Sequence, residues 1–97
     1  MKIDLANRGV VVAGGSKGIG YACAAAFVAE GARVAIVSRS RANLDAAARE
    51  LPGVHTIAAD LADAAGAKRA IDAAEDALGA IDVLVNSAGA AKRYTPA

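Results

Sequence analysis

The 97-residue chain is predicted to form an α/β domain with a doubly wound parallel sheet, and three observations carry that reading. Short β-branched runs alternate with helical stretches in the order βαβαβαβ. A glycine-rich turn stands between the first strand and the first helix. Gly31, Pro52-Gly53 and Gly79 each close a helical stretch. Helical links of this length demand parallel neighbouring strands joined by right-handed crossovers.

The first strand is Gly9 to Ala13, Gly-Val-Val-Val-Ala, apolar on both faces as a strand covered by helices on each side must be. In the helix that follows, Ile19, Cys23, Ala26, Phe27 and Glu30 recur at helical spacing, and Gly31 supplies the stop. Arg33 to Ser38 is a second strand. Ser40 is placed to cap a helix whose Leu44, Ala47, Ala48 and Leu51 share a face. Val54 to Ala58 is a third strand. Asp60 or Asp63 caps a third helix with an apolar stripe of Ala67, Ile71, Ala74 and Leu78. Ile81 to Val85 is a fourth strand running into Asn86-Ser87-Ala88-Gly89, and Ala90 to Ala97 carries no period, which suits a loop or frayed end.

Composition bounds the function. The length suits one domain, and the hydrophobic fraction of 56% is largely alanine, with only 3% aromatics. The net charge is +1 and no run of basic residues marks a nucleic-acid face. A single cysteine, Cys23, excludes an intramolecular disulfide and a thiol-only metal site, and its expected place is a small core position. Asp4 interrupts the first residues where a secretion signal needs an apolar stretch, and no apolar run approaches the ~20 residues of a membrane span. A soluble, cytoplasmic protein is expected, with neither a nucleic-acid nor a membrane partner.

The glycine turn is the first chemical signal. A loop between a strand end and a helix start offers unpaired backbone N–H groups and the positive end of a helix dipole, which together bind phosphate. Gly14, Gly18 and Gly20 give the spacing G-x-x-x-G-x-G. Glycines there permit a positive φ, let a pyrophosphate approach the backbone, and let helix and strand pack closely.

The end of the second strand is the next signal. A domain that binds NAD usually places an acid there for the ribose 2′-hydroxyl. This chain has Ser38-Arg39-Ser40-Arg41 and no acid. A guanidinium pairs with a 2′-phosphate that a carboxylate would repel, and Lys17 adds a second cation. NADP(H) is therefore favoured over NAD(H). The competing reading, solvated surface charges at a helix start, suits Arg41 better than Arg39. His55 is expected to be an exposed edge residue rather than a catalytic base.

These residues resemble the N-terminal half of a short-chain dehydrogenase/reductase. The T-G-x-x-x-G-I-G of that family appears as Ala13-Gly14-Gly15-Ser16-Lys17-Gly18-Ile19-Gly20, its acidic position after strand three as Asp60-Leu61, and its N-N-A-G after strand four as Asn86-Ser87-Ala88-Gly89. The resemblance implies that Gly14, Ser16, Lys17, Gly18, Ile19 and Gly20 line the pyrophosphate and its ribose. It implies that Ser38 and Arg39 meet the 2′-phosphate, that Asp60 accepts from the adenine amino group with Leu61 against the ring, and that Asn86, Ala88 and Gly89 form the floor near the riboses. Ala13 and Ser87 depart from the pattern, and both changes are expected to cost hydrogen bonds that tie strands together.

The same resemblance implies chemistry by a Ser, a Tyr and a Lys, the last two four apart on a helix. No Tyr-x-x-x-Lys occurs in this chain, and Tyr94 stands too close to Asn86 for that position. No catalytic residue and no metal ligand is assigned. Residues 1–97 are thus expected to be the N-terminal part of a single NADP(H)-binding domain of the Rossmann type, with the catalytic half absent. Such a chain is the front of a longer oxidoreductase acting on a carbonyl or alcohol and forming a homo-oligomer at full length, or an inactive nucleotide-binding fragment, or a half that needs a complementary chain. An exposed sheet edge would invite such pairing.

Overall fold

The computed structural model describes residues 5–14 and 16–87. Seven elements follow in strict alternation: β1 (Gly9–Ala13), α1 (Gly18–Ala29), β2 (Arg33–Ser38), α2 (Arg41–Glu50), β3 (His55–Ala58), α3 (Ala64–Leu78) and β4 (Val83–Asn86). All strand pairs are parallel, in the order β3-β2-β1-β4. The predicted α/β class and doubly wound sheet are what the chain adopts. Ala90 to Ala97, Tyr94 among them, lie outside the described residues.

The strand order reverses beside β1. The chain moves outward from β1 to β3 and then returns through α3 to place β4 on the other side of β1. In register, Val10 pairs with Val34 on one side and Val83 on the other, and Ala13 pairs with Val37 and Asn86. β1 is therefore bonded on both edges and covered on both faces, and all five of its residues are buried. Its upper face packs Val10 and Val12 with Val34 and Ile36 against Ala24 of α1 and Leu44 and Ala47 of α2. Its lower face packs Val11 with Ala35 and Val37 against Ala70, Ala74 and Leu78 of α3.

The central strands have their expected bounds, whereas the edge strands differ. β3 begins at His55 instead of Val54, and β4 spans Val83–Asn86 instead of Ile81–Val85. Asp82 explains the second shift. Its carboxylate accepts from the Gly9 N–H at 2.8 Å while its own N–H donates to the Gly9 carbonyl at 2.7 Å. That closed pair turns the chain before the ladder starts, and Ile81 packs instead against the α3 side of the core.

The helix faces differ further from the expected stripes. In α1 the buried residues are Gly20 and Ala24. Ile19, Ala26 and Glu30 of the predicted stripe are exposed, and Cys23 is half-buried rather than a core residue. In α3 the buried residues are Gly66, Ala70, Ala74 and Leu78. Ala67 is half-buried and Ile71 faces outward. In both helices small residues make the closest approach to the sheet, while Phe27 of the predicted stripe packs against the core beside Tyr21 and Val28 of α1, and Leu78 of α3 is fully buried. α2 keeps Leu44 and Ala47 buried as predicted, with Leu51 packed beside them and Ala48 half-buried.

Capping follows the sequence at α2, where Ser40 Oγ accepts from the Asn43 N–H at 3.1 Å. At α3 the cap position is Asp63, but its carboxylate makes no capping bond. Asp60 Oδ1 instead accepts from the Ala62 N–H at 2.9 Å, closing the preceding turn. Replacing Ser40 with Ala leaves the Asn43 N–H without its acceptor. The expected cost is about 1 kcal/mol, read as a lower urea midpoint with an unchanged slope.

Tyr21 joins α1 to the end of α2 by donating to Glu50 Oε2 at 3.0 Å. That bond, desolvation and the negative charge of Glu50 hold the phenol pKa above its ordinary value of 10.0. A raised folded-state pKa means that the contribution to stability is complete below the unfolded value and disappears as pH rises through the folded one. Glu50→Gln is expected to bring the Tyr21 titration, followed by phenolate absorbance, back toward its ordinary value. An unchanged titration would show that Glu50 does not hold the phenol.

Candidate functional site

The carboxyl ends of all four strands open onto one cleft of about 560 Å³. It lies where the strand order reverses, the position at which open parallel sheets bind ligands. Its wall takes Gly14, Ser16 and Lys17 from the loop after β1, and Val37, Ser38, Arg39, Ser40 and Asn43 from the end of β2 and the start of α2. Ala59, Asp60, Leu61 and Ala62 follow β3, and Asn86 and Ser87 close β4.

The loop after β1 is fixed from both sides. The Gly14 N–H donates to the Val37 carbonyl at 2.7 Å, and Gly14 takes a φ of 78°, in the left-handed region. The Ser87 N–H donates to the Ala13 carbonyl at 2.9 Å. Ser87 Oγ also donates to that carbonyl at 2.9 Å, with a longer branch of 3.3 Å to the Gly14 carbonyl. The expectation that Ser87 costs a tie between strands is thus corrected. The serine hydroxyl reaches the neighbouring strand end and links β4 to the glycine turn.

Gly20 lies buried beneath this junction. A Cβ there would overlap the Gly14 carbonyl oxygen and Ser87 Oγ. The absent side chain lets α1 begin directly against the ends of β1 and β4. Gly18, with a φ of 60°, and Ile19, 71% exposed, stand at the start of α1 outside the cleft wall. Of the thirteen residues singled out as cofactor-binding, the cleft wall thus brings together Gly14, Ser16, Lys17, Ser38, Arg39, Asp60, Leu61 and Asn86. Ala88 and Gly89 lie outside the described residues.

Polar groups across the cleft form a connected set. Ser16 Oγ and Ser38 Oγ lie at hydrogen-bond distance, 3.1 Å, and the Ser40 N–H donates to Ser38 Oγ at 3.2 Å. The Ala59 N–H donates to the Ser38 carbonyl at 3.0 Å, fixing the next strand end. Among the described residues the side chains of Lys17 and Arg39 have no hydrogen-bond or ion-pair partner. Arg41, by contrast, approaches Asp45 one turn along α2 at 3.9 Å, the surface role that the sequence favoured for it. Asp60 supplies the carboxylate of the wall, with Oδ1 engaged by Ala62.

Asn43 and Ser87 are wall residues that sequence reasoning did not assign to the cleft. Asn43 follows the Ser40 cap by three residues, so the first turn of α2 carries it over the end of β2, a placement that the cap spacing could have revealed. His55 is exposed on β3, as expected, and is not part of the wall. No group of three or more His, Cys, Asp or Glu able to hold a metal occurs among the described residues. No helix among them is long and apolar enough to cross a membrane.

Comparison with known proteins bears on this geometry. The family model for short chain dehydrogenases matches residues 8–97. The chain belongs to that family. It is 44% identical over 91 residues to an L-xylulose reductase of Bos taurus, covering 94% of this chain and 36% of that protein. It is 42% identical over 97 residues to a D-threitol dehydrogenase of Mycolicibacterium smegmatis, covering 96% and 37%. Among solved structures, a short chain dehydrogenase from Bacillus anthracis superposes with a TM-score of 0.80 at 32% identity, covering 87% of this chain and 36% of that one. The chain therefore spans just over a third of the length of these relatives.

Gly20→Val sets a bulky side chain against the Gly14 carbonyl and Ser87, whose backbone neighbours cannot yield cheaply. The expected loss is at least ~1–3 kcal/mol, seen as a lowered denaturation midpoint. Gly53→Ala, in an open turn where a Cβ meets nothing within 4 Å but φ is 90°, serves as a comparison and is expected to lose less. Equal losses would sink the close-approach argument.

Proposed function

We propose that the cleft binds NADP(H) in preference to NAD(H). The observation that carries this is the pair of unpartnered cations, Lys17 and Arg39, on a wall with no carboxylate at the end of β2. The donor set suits an anionic ligand: two hydroxyls, an ammonium and a guanidinium line the cleft at a strand end and a helix start. The close approach at Gly20 supports a backbone-lined place for the pyrophosphate. In this reading Gly14, Ser16, Lys17, Gly18, Ile19 and Gly20 hold the pyrophosphate and its ribose, and Ser38 and Arg39 take the 2′-phosphate. Asp60 accepts from adenine through the oxygen that Ala62 does not use, Leu61 lies against the ring, and Asn86 with Ala88 and Gly89 forms the floor.

Bound there, the nicotinamide supplies a hydride donor or acceptor. This chain's residues orient it; they offer no proton-transfer pair, because the sequence holds no Tyr-x-x-x-Lys. Residues 1–97 are then the cofactor-side part of a single domain, with catalytic groups contributed from outside them. The whole protein is an oxidoreductase interconverting a carbonyl and an alcohol. Relatives named for L-xylulose and D-threitol support a small polyhydroxylated ketone or alditol as substrate. We further place it in the cytoplasm, as a homo-oligomer. The second reading is a binding module without turnover.

Two measurements test these readings. Fluorescence titration of the protein is expected to give tighter binding of NADPH than of NADH, and Arg39→Asp should weaken NADPH by at least about tenfold while improving NADH. Tighter NADH binding by the unaltered protein would refute the assignment of Arg39. NADPH oxidation in the presence of a polyhydroxylated ketone separates the enzyme from the module, and its absence across such ketones would favour the module.

A further inference from the structure

We propose that Gly66 is a positioning residue for the adenine end of the cleft: by carrying no side chain, it lets Asp60 stand where its carboxylate can meet the base. This rests on the reading above in which Asp60 accepts from the adenine amino group, and it is independent of the 2′-phosphate. Gly66 lies in the first turn of α3 and is buried. A Cβ there would overlap the Asp60 carbonyl oxygen and stand 3.3 Å from its carbon and 3.5 Å from the Asp60 nitrogen. All three are main-chain atoms, so no flexible side chain can swing aside. With a methyl group at position 66, either α3 or the turn that bears Asp60 must move.

Packing decides which of them yields. α3 is anchored by Ala70, Ala74 and Leu78, all fully buried against Val11, Ala35 and Val37, and shifting it disturbs that core. Asp60, Ala62 and Asp63 are exposed. The turn is closed on itself: the Asp63 N–H donates to the Asp60 carbonyl at 3.2 Å, and the Ala62 N–H donates to Asp60 Oδ1 at 2.9 Å. It joins the sheet through buried Ala59, whose N–H donates to the Ser38 carbonyl at 3.0 Å. The turn therefore pivots about Ala59 as a unit, and the carbonyl and carboxylate of Asp60 move together. An N–H···O bond holds only over about 2.7–3.2 Å, so a shift that clears a Cβ overlap takes the carboxylate out of reach of an amino group held elsewhere in the cleft. Hypoxanthine sets a carbonyl oxygen where adenine has that amino group, and a carboxylate repels it. Preference for adenine over hypoxanthine thus reports where Asp60 stands.

The test is the ratio of affinities for NADPH and its hypoxanthine analogue, measured by fluorescence titration. The proteins are the unaltered chain, Gly66→Ala, Asp60→Ala, the Gly66→Ala/Asp60→Ala double variant and Gly79→Ala. Both ligands bind the same folded population, so the ratio cancels a partial loss of folding. Gly79→Ala strains the far end of α3, where φ is 83°, without touching Asp60, and serves as the control for a loosened helix. Gly66→Ala is expected to lower the ratio about fivefold, and Gly79→Ala to leave it within about twofold of the unaltered value. The double variant should match Asp60→Ala, because Gly66 has nothing to act through once the carboxylate is gone. An unchanged ratio in Gly66→Ala, an equal fall in Gly79→Ala, or multiplying losses in the double variant overturns the inference and leaves the Asp60 reading intact. Failure of Gly66→Ala to fold also overturns it, since the turn would then not have yielded. An unaltered protein with no preference for adenine, or an Asp60→Ala variant that keeps one, overturns the Asp60 reading and this inference with it.

Discussion

The cleft depends on how closely α1 approaches the ends of β1 and β4. That approach is possible only because position 20 carries no side chain: Gly20 faces the Gly14 carbonyl and Ser87 Oγ, and a methyl group there would overlap both. The contact locks three things at once. It fixes the turn after β1 against α1, it aligns the end of β4 through Ser87, and it aims the first turn of α1 across the carboxyl ends of the strands. Moving α1 outward by the width of a methyl group would separate the helix start from the turn whose backbone it must complete.

A similar economy governs the other helices. Gly66 lets α3 begin beside the Asp60 carbonyl, and Ala70 and Ala74 continue the same close line along β1 and β2. Small residues contribute little apolar area each, so the core relies on the strands for bulk: Val10, Val11, Val12, Val34, Ile36 and Val37 are all fully buried. The helices act as thin covers held close, and the sheet supplies most of the large buried side chains. This division suits a composition rich in alanine and poor in aromatics.

The same division decides what could be read from the sequence. β1 and β2 are continuous β-branched runs with helices on both faces, and their bounds are legible to the residue. The ends of β3 and β4 are set by pairing and by the Asp82–Gly9 bonds, which no local pattern carries. In α1, every position from Gly18 to Ala29 is small or apolar, so periodicity cannot choose a face, and the close approach at Gly20 chooses it instead. Ile19 therefore faces outward despite its hydrophobicity. At the cleft, the glycine spacing and Arg39 are visible as motifs because they follow a strand directly. The Ser16–Ser38 contact joins residues 22 positions apart and exists only once β1 and β2 are in register.

The polarity of the cleft follows from that register. Donors gather at the ends of β1 and β2, where the glycine turn, Lys17, Ser38 and Arg39 stand, while the carboxylate of Asp60 lies beyond β3, at the outer edge of the sheet. Because β3 lies two strands from β1, Lys17 after β1 and Asp60 after β3 stand at different strand ends along the cleft, with Ser38 and Arg39 after β2 between them. A ligand with phosphate near one end and an exocyclic amine at the other gains from both, whereas the reverse orientation would set phosphate against Asp60 and amine against Arg39. The strand order therefore supplies more than a crevice: it gives the crevice a polarity, with the Asp60 carboxylate at its β3 edge and Lys17 toward β1.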